Sequence, residues 1–355
     1  MYMRCAAALV TASLIGGCAI HPVPEDVTGL DTADIVKQIR CETRDAARRV
    51  IRERLERLAG PGRNLTAQSL LAQFQENPEA MDGFDPNAAF PGLENKQIRN
   101  LFTAIYSTAI AYSFDLTMYE ADKLSAGATL LGPWANPFTL GLGGNADRSR
   151  QNQRAFTITD EFSFLLTRLN TDKFGQRYCD GRITGPNYVY PVAGQIGIYN
   201  TLYTFLQLSI FENMSPGKNA ADASGKSPPF ADKLTFITDV SISATPSVTF
   251  APFKSGFRPT GATGTGSLGR KDTHDVTIGL AMEPAGGAAV ASLSGFVYSG
   301  AGLPGPRVTL GKTGVGQTLV LNRITATATS RAAQLALFAI DQLKSREIQL
   351  IPAPQ

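Results

Sequence analysis

The chain of 355 residues is poor in the side chains that carry most enzyme chemistry. It has two histidines, His21 and His274, one tryptophan and four cysteines. Two histidines are too few for a histidine-rich zinc centre, and no D-x-D-x-D-G run offers a calcium loop. No G-x-S-x-G elbow presents a serine, so a Ser-His-Asp site would have to use His274. That residue stands in "KDTHDV", near Asp272 and Asp275. On a strand, His274 and Asp275 point to opposite faces, which reads as a polar strand entrance rather than a catalytic base. Charged residues make up 18% and the net charge is only +3. Such a weak balance excludes nucleic acid as a bulk partner. Beyond the N-terminus no apolar run reaches the roughly 18 residues of a transmembrane helix.

Two strings imitate nucleotide sites. "ADASGKS" has Ala220 where a phosphate-binding loop needs glycine, and Pro228-Pro229 forbid the helix that should follow. "GTGSLG" is a literal G-x-G-x-x-G at positions 264 to 269, but no βαβ unit surrounds it, and it reads as a flexible hairpin loop. No cofactor is expected. Carboxylates for a hydrolase are available at Asp115, Glu120, Asp160 and Glu161, and their spacing selects none of them.

The N-terminus is more informative. Arg4 precedes an apolar run from Ala6 to Ile15, then Gly16, Gly17 and Cys18. A positive start and a short apolar core describe an export signal, and a core of about ten residues is too short to span a bilayer. Leu14-Ile15-Gly16-Gly17-Cys18 resembles the lipobox of bacterial lipoproteins, with Ile15 an accepted variant of the usual leucine. The resemblance covers residues 1–18. It implies a signal peptide at 1–17 and an acylated Cys18, followed by an extended tether at 18–30. Acyl chains anchor firmly because each buried CH2 contributes about 0.8 kcal/mol. Ala19, in place of an aspartate after the cysteine, favours the periplasmic face of the outer membrane. The expected partners are therefore the membrane, through the lipid anchor, and other envelope proteins. The chain also resembles uncharacterised proteobacterial lipoproteins in which a lipobox precedes a helix of the "DIVKQIRCETRDA" kind. That resemblance implies no activity.

With Cys5 removed in the signal and Cys18 acylated, Cys41 and Cys179 remain. In an oxidising compartment they are expected to form one disulfide, the alternative being two buried thiols.

The pattern along the chain predicts an α+β fold. A helix capped by Asp31 or Thr32 runs to Leu58. It carries eight Lys or Arg against four acids between positions 37 and 57. Either it meets anionic head groups, or it is a solvated face with ion pairs such as Glu53 with Arg57. Helices are expected within "LTAQSLLAQFQEN" and from near Leu93. Four strands of an antiparallel meander follow, at Tyr112–Tyr119, Leu124–Leu131, Phe138–Leu142 and Ala155–Thr159, with "GGNADRSRQNQR" as a hydrophilic turn. Two helices follow, one capped by Asp160 and one in "AGQIGIYNTLYTFLQLSIFEN". Strands are expected at Lys233–Ser243, Ser247–Phe253 and His274–Met282, then at Val308–Leu310 and Thr318–Leu321. A final helix is expected over Thr325–Glu347. The organisation is thus a helical and meander domain at 31–213, a linker at 214–232, and a β-rich region with a C-terminal helix at 233–355.

For function the first expectation is a non-catalytic scaffold, assembly or secretion accessory of the outer membrane. One alternative is a periplasmic carboxylate-dependent hydrolase. Another is a subunit of an oligomeric outer-membrane pore, whose strands should alternate over about 9 to 11 residues. Only Tyr112–Tyr119 approaches that pattern.

Overall fold

A computed structural model describes residues 21–60, 64–131, 139–171, 176–211, 214, 229–249, 258–299 and 330–350. The fold is α+β. Helices α1 (Glu25–Thr28), α2 (Thr32–Leu58), α3 (Leu65–Glu76), α4 (Pro86–Ala89) and α5 (Lys96–Tyr106) precede two long strands, β1 (Thr108–Leu131) and β2 (Thr139–Glu161). Then come α6 (Phe162–Thr167), α7 (Ile198–Phe211), β3 (Phe230–Ala244), β4 (Ser247–Thr249), β5 (Arg258–Met282), α8 (Pro284–Ser299) and α9 (Arg331–Leu350). The five strands form one antiparallel sheet in the order β2-β1-β5-β3, with β4 also on β5.

Among the described residues the strands are longer and fewer than the sequence pattern predicts. The expected four-strand meander is β1 and β2, of 24 and 23 residues. "GGNADRSRQNQR" is the body of β2 rather than a turn, and "GATGTGSLG" lies inside β5 rather than in a loop. The glycine-rich string after Met282 begins α8. The described last helix is Arg331–Leu350, and residues 325–329 of the expected helix lie outside the described residues. The expected strands near Val308 and Thr318, and residues 215–228 of the expected linker, lie outside the described residues.

The chain forms two compact units that interleave in sequence. A strand unit takes the chain through Gly29, then Leu116–Arg154 and Ile237–Thr273. A core unit takes Leu30–Asp115, Ala155–Phe236 and the chain from His274 onward.

The core unit is organised by α2. Asp31 accepts from the Asp34 backbone N–H at 2.7 Å, and Asp34 returns the bond in a capping box. Ile35, Ile39, Val50, Ile51 and Leu55 are buried. Two basic residues of α2 are drawn out of solvent into ion pairs with distant acids. Arg44 is buried and binds Asp82 at 2.6 Å, and Arg40 grips both oxygens of Asp160 at 2.6 and 2.7 Å. Asp160 is therefore an ion-pair partner and not the cap of α6. Burial pushes its pKa up, opposed by the hydrogen bond and charge of Arg40. The local pair on α2 is Arg49 with Glu53, at 3.0 Å.

One edge of α2 also holds a loop from the middle of the chain. Cys41 and Cys179 form a disulfide with a Cα–Cα distance of 5.7 Å. Around it Lys37 donates to the Asp180 carbonyl, Gln38 accepts from the Ile183 N–H, and Arg182 pairs with Asp45. One turn on, the Glu42 carboxylate accepts the backbone N–H groups of Ile196, Gly197 and Ile198 at 2.7–2.9 Å. It thereby satisfies donors at the start of α7 that have no partner within that helix. Burial pushes the pKa of Glu42 up against the pull of these donors.

The C-terminal helix packs closely on β5. A Cβ placed on Gly279 would lie 2.1 Å from the Ala336 carbonyl oxygen, so only glycine admits the helix there. Ala111, Ala281, Ala336 and Ile340 form the buried contact.

Candidate functional site

The strand unit carries the candidate site, and its register can be read from side chains. Arg150 of β2 donates to Glu120 of β1 at 2.8 Å. Arg270 of β5 reaches the other oxygen of Glu120 at 3.2 Å. A Cβ on Gly127 of β1 would stand 3.2 Å from Thr263 Oγ1 of β5. Val248 of β4 pairs with Ala262 of β5. In the core unit Thr235 of β3 bonds Asp275 of β5 at that same offset, so β3 and β4 keep one parity. Side chains alternate along a strand, so even-numbered residues share one face on all strands and odd-numbered residues share the other.

Beyond Ile237, which is exposed on the odd side, the two faces differ in chemistry. On the even face stand Leu124, Ala126, Ala128 and Leu130 of β1, with Leu140, Leu142, Gly144 and Ala146 of β2. The same face continues through Ala262, Gly264, Gly266 and Leu268 of β5 to Val240, Ile242, Ala244, Pro246 and Val248 on the β3–β4 side. The odd face carries Ser125 and Thr129, then Thr139 and Asn145, then Thr263, Thr265 and Ser267, then Ser241, Ser243, Thr245, Ser247 and Thr249. The apolar face is uncovered: Ile242 is 66% exposed, Leu268 58%, and Leu142 and Val248 54% each.

The apolar band stops at a belt of charge. The next even positions are Arg148 on β2, Asp122 on β1 and Arg270 on β5. Arg270 is the hub. Its Nε and Nη2 bind the two oxygens of buried Asp272 at 2.9 and 3.0 Å, and its Nη1 meets Glu120 and Asp26. The N-terminal segment is fastened to this belt. Arg270 donates to the Val23 carbonyl at 2.7 Å and Asn152 to the Pro22 carbonyl at 2.9 Å. Glu25 lies 3.9 Å from Arg154.

Several residues singled out from sequence have other roles. His274 lies in the interior of β5, 1% exposed and hydrogen-bonded to the Tyr190 hydroxyl, and is not at a strand entrance. Asp160 and Glu120 each face arginine and belong to different units. Tyr112, Phe114, Leu116 and Met118, the stretch that best matched a lipid-facing strand, are buried. Cys18 lies outside the described residues. Among those residues no group of three His, Cys, Asp or Glu could hold a metal ion, and no helix is long and apolar enough to cross a membrane. The residues missed in sequence are Val240, Ile242 and Val248. Their signal was present, as strict alternation in "DVSISATPSVT".

The protein family described as "Uncharacterised protein y4kA" matches residues 21–290, a span that contains every strand of the sheet. The chain belongs to that family. It is 36% identical over 284 residues to the uncharacterized protein y4kA of Sinorhizobium fredii (strain NBRC 101917 / NGR234), covering 79% of this chain and 84% of that protein.

Proposed function

We propose that this y4kA-family chain is a lipid-anchored subunit of an oligomeric outer-membrane pore, with the strand unit crossing the bilayer. The observation that carries the reading is the two-sided chemistry of the band in that unit, where the even positions beyond the charged belt are apolar or glycine and the odd ones are mostly Ser, Thr, Asn and Gly. Burying one large aliphatic side chain is worth about 1.5 to 3 kcal/mol, and soluble monomers rarely expose contiguous apolar patches beyond a few hundred Å2. Lipid on the even face and water on the odd face satisfy both sides. The uninterrupted alternation, for example from Val240 to Thr249, matches the roughly 9 to 11 residues that a tilted strand needs.

The anchor supports the same orientation. Cys18 stands four positions before Pro22, which is bonded to Asn152 beside the charged belt. Four residues span at most about 14 Å. Acyl chains on Cys18 would enter the leaflet next to that belt, where the apolar band begins. Glycine and alanine at the centre of the band suit close strand packing rather than an aliphatic core.

The test is reconstitution of the full-length protein, purified in detergent, into lipid vesicles loaded with a small dye. The protein should release the dye, and the mass of its N-terminal peptide should show acylated Cys18. Leu142→Arg on the even face should abolish release, whereas Ser243→Arg on the odd face should preserve it. Protein that binds vesicles yet releases nothing, with residues 124–146 open to protease, would overturn the pore and favour a scaffold whose apolar face is covered by another envelope protein.

A further inference from the structure

A pore of this kind leaves two strand edges open. β2 stands at one end of the strand order, and β3 with β4 stands at the other. Unpaired backbone N–H and C=O groups cannot face hydrocarbon, so spanning sheets close into barrels. Resting on the pore reading, we infer that β2 of one copy pairs with β3 and β4 of the next copy, head to tail, in a closed ring.

Strand direction permits this pairing. Neighbours in β2-β1-β5-β3 are antiparallel, so β2 and β3 run in opposite directions. Joining them continues the alternation around the ring. The two-fold alternatives fail. If β2 met β2 about an axis perpendicular to the sheet, the apolar faces would agree, but the charged belts would lie on opposite sides of the membrane. If β2 met β2 about an axis along the strands, the belts would agree, but one copy would turn its apolar face to the other's polar side. The same holds for β3 against β3. Only rotation about the membrane normal keeps band and belt together, and it joins unlike edges.

The belt also carries the slope that closure requires. Asp122 lies opposite Arg148 in the β1–β2 register, and that row meets β5 at Leu268. On β5 the band ends at Arg270, and on β3 it ends at Thr238, opposite Asp272. The boundary thus steps four residues from β2 to β3. At about 3.3 Å per residue and about 4.8 Å between strands, that is a slope of roughly 40°, within the tilt of membrane barrels. Each copy brings four main strands. Eight strands close a barrel that side chains fill, and about 16 leave a water channel, so an open pore needs more than two copies, and four copies supply the larger number.

Cysteine cross-linking in membranes tests the pairing. Asn145→Cys on β2 is combined in one chain with Ser241→Cys, Ser243→Cys or Ser247→Cys on the opposite edge, all on the polar face. After mild oxidation, a non-reducing gel of at least one pair should show a ladder of covalent multimers. The single variants should run as monomers. Dimers formed by Asn145→Cys alone would overturn the inference in favour of a two-fold contact. Vesicles that release dye but yield no ladder from any pair would overturn it while leaving the pore standing. Absence of both release and ladder would remove the pore and the ring together.

Discussion

β5 passes from one kind of surroundings to another within 25 residues. From Val276 to Met282, in the core unit, Val276, Ile278, Leu280, Ala281 and Met282 are buried, so both faces are covered by protein. From Gly261 to Lys271, in the strand unit, one face is Ala, Gly and Leu up to Arg270 and the other is Thr, Ser, Gly and Lys. The core unit is held by aromatic packing such as Phe84 on Phe102 at 5.3 Å, by buried ion pairs and by a disulfide. The strand unit has its aliphatic residues on the outside and its charge network at one end of the band. A sheet built to face water would put those aliphatics inside. On the pore proposed above, the difference between the two stretches is one of solvent.

The sharpest way to break the core side of the comparison is to remove its covalent tie. Cys41→Ser with Cys179→Ser opens a link across 138 residues, worth up to about 4 to 5 kcal/mol by the chain-entropy account. Calorimetry should show the core transition falling, because the loop at 178–183 is latched to α2 by that bond and its flanking hydrogen bonds. An unchanged transition would mean that the flanking bonds suffice without it.

On the strand side the corresponding tie is electrostatic. Arg270→Leu removes the cation bound by both oxygens of Asp272, whose side chain is 1% exposed. Breaking a buried pair on one side costs about 3 to 5 kcal/mol. The expected result is local: faster proteolysis around 116–154 and 237–273, with the core transition retained. Loss of the core transition in that variant would show that the two units are a single cooperative body.

Placing a charge in the band separates solvent from stability. An arginine at the bilayer midplane costs about 2 to 4 kcal/mol. Leu142→Arg should therefore lower vesicle insertion on the order of 10²-fold while leaving the unfolding of the soluble preparation unaltered, because Leu142 is already exposed. If the soluble preparation is destabilised instead, Leu142 packs against protein and the two-solvent comparison fails.

What the sequence made legible follows the same division. In the core unit the signals are local. Asp31 caps α2 as its place in the sequence predicts, and Ile35, Ile39 and Val50 of that helix are buried. The partners of Arg40 and Arg44 were not legible, because Asp160 and Asp82 lie 120 and 38 residues away. In the strand unit the local signals mislead. Asn, Arg, Ser and Gln at 145–154 read as a turn, yet β2 pairs there, because ladder bonds are made by backbone and not by side chains. Gly264 and Gly266 read as a loop, yet they occupy band positions between strands. Parity across strands has no meaning until register is known, so four short apolar patterns could not be seen as one face. Likewise the resemblance to a lipobox covers residues 1–18 alone and carried no information about the sheet.

The smallest expected effect concerns the link from the N-terminal segment to the sheet. Asn152 Nδ2 donates to the Pro22 carbonyl at 2.9 Å in a part-buried setting. One such bond contributes about 0.5 to 1.5 kcal/mol. Asn152→Ala should raise the opening of residues 21–29 several-fold, read as hydrogen exchange at Val23, whose amide also bonds Asp26 at 2.8 Å. Arg270 and Arg154 remain to hold the segment, so opening should stay partial and dye release should persist. If the segment stays as protected as before, the charge belt alone fastens it, and the anchor's position relative to the band is set by Arg270 rather than by the β2 edge.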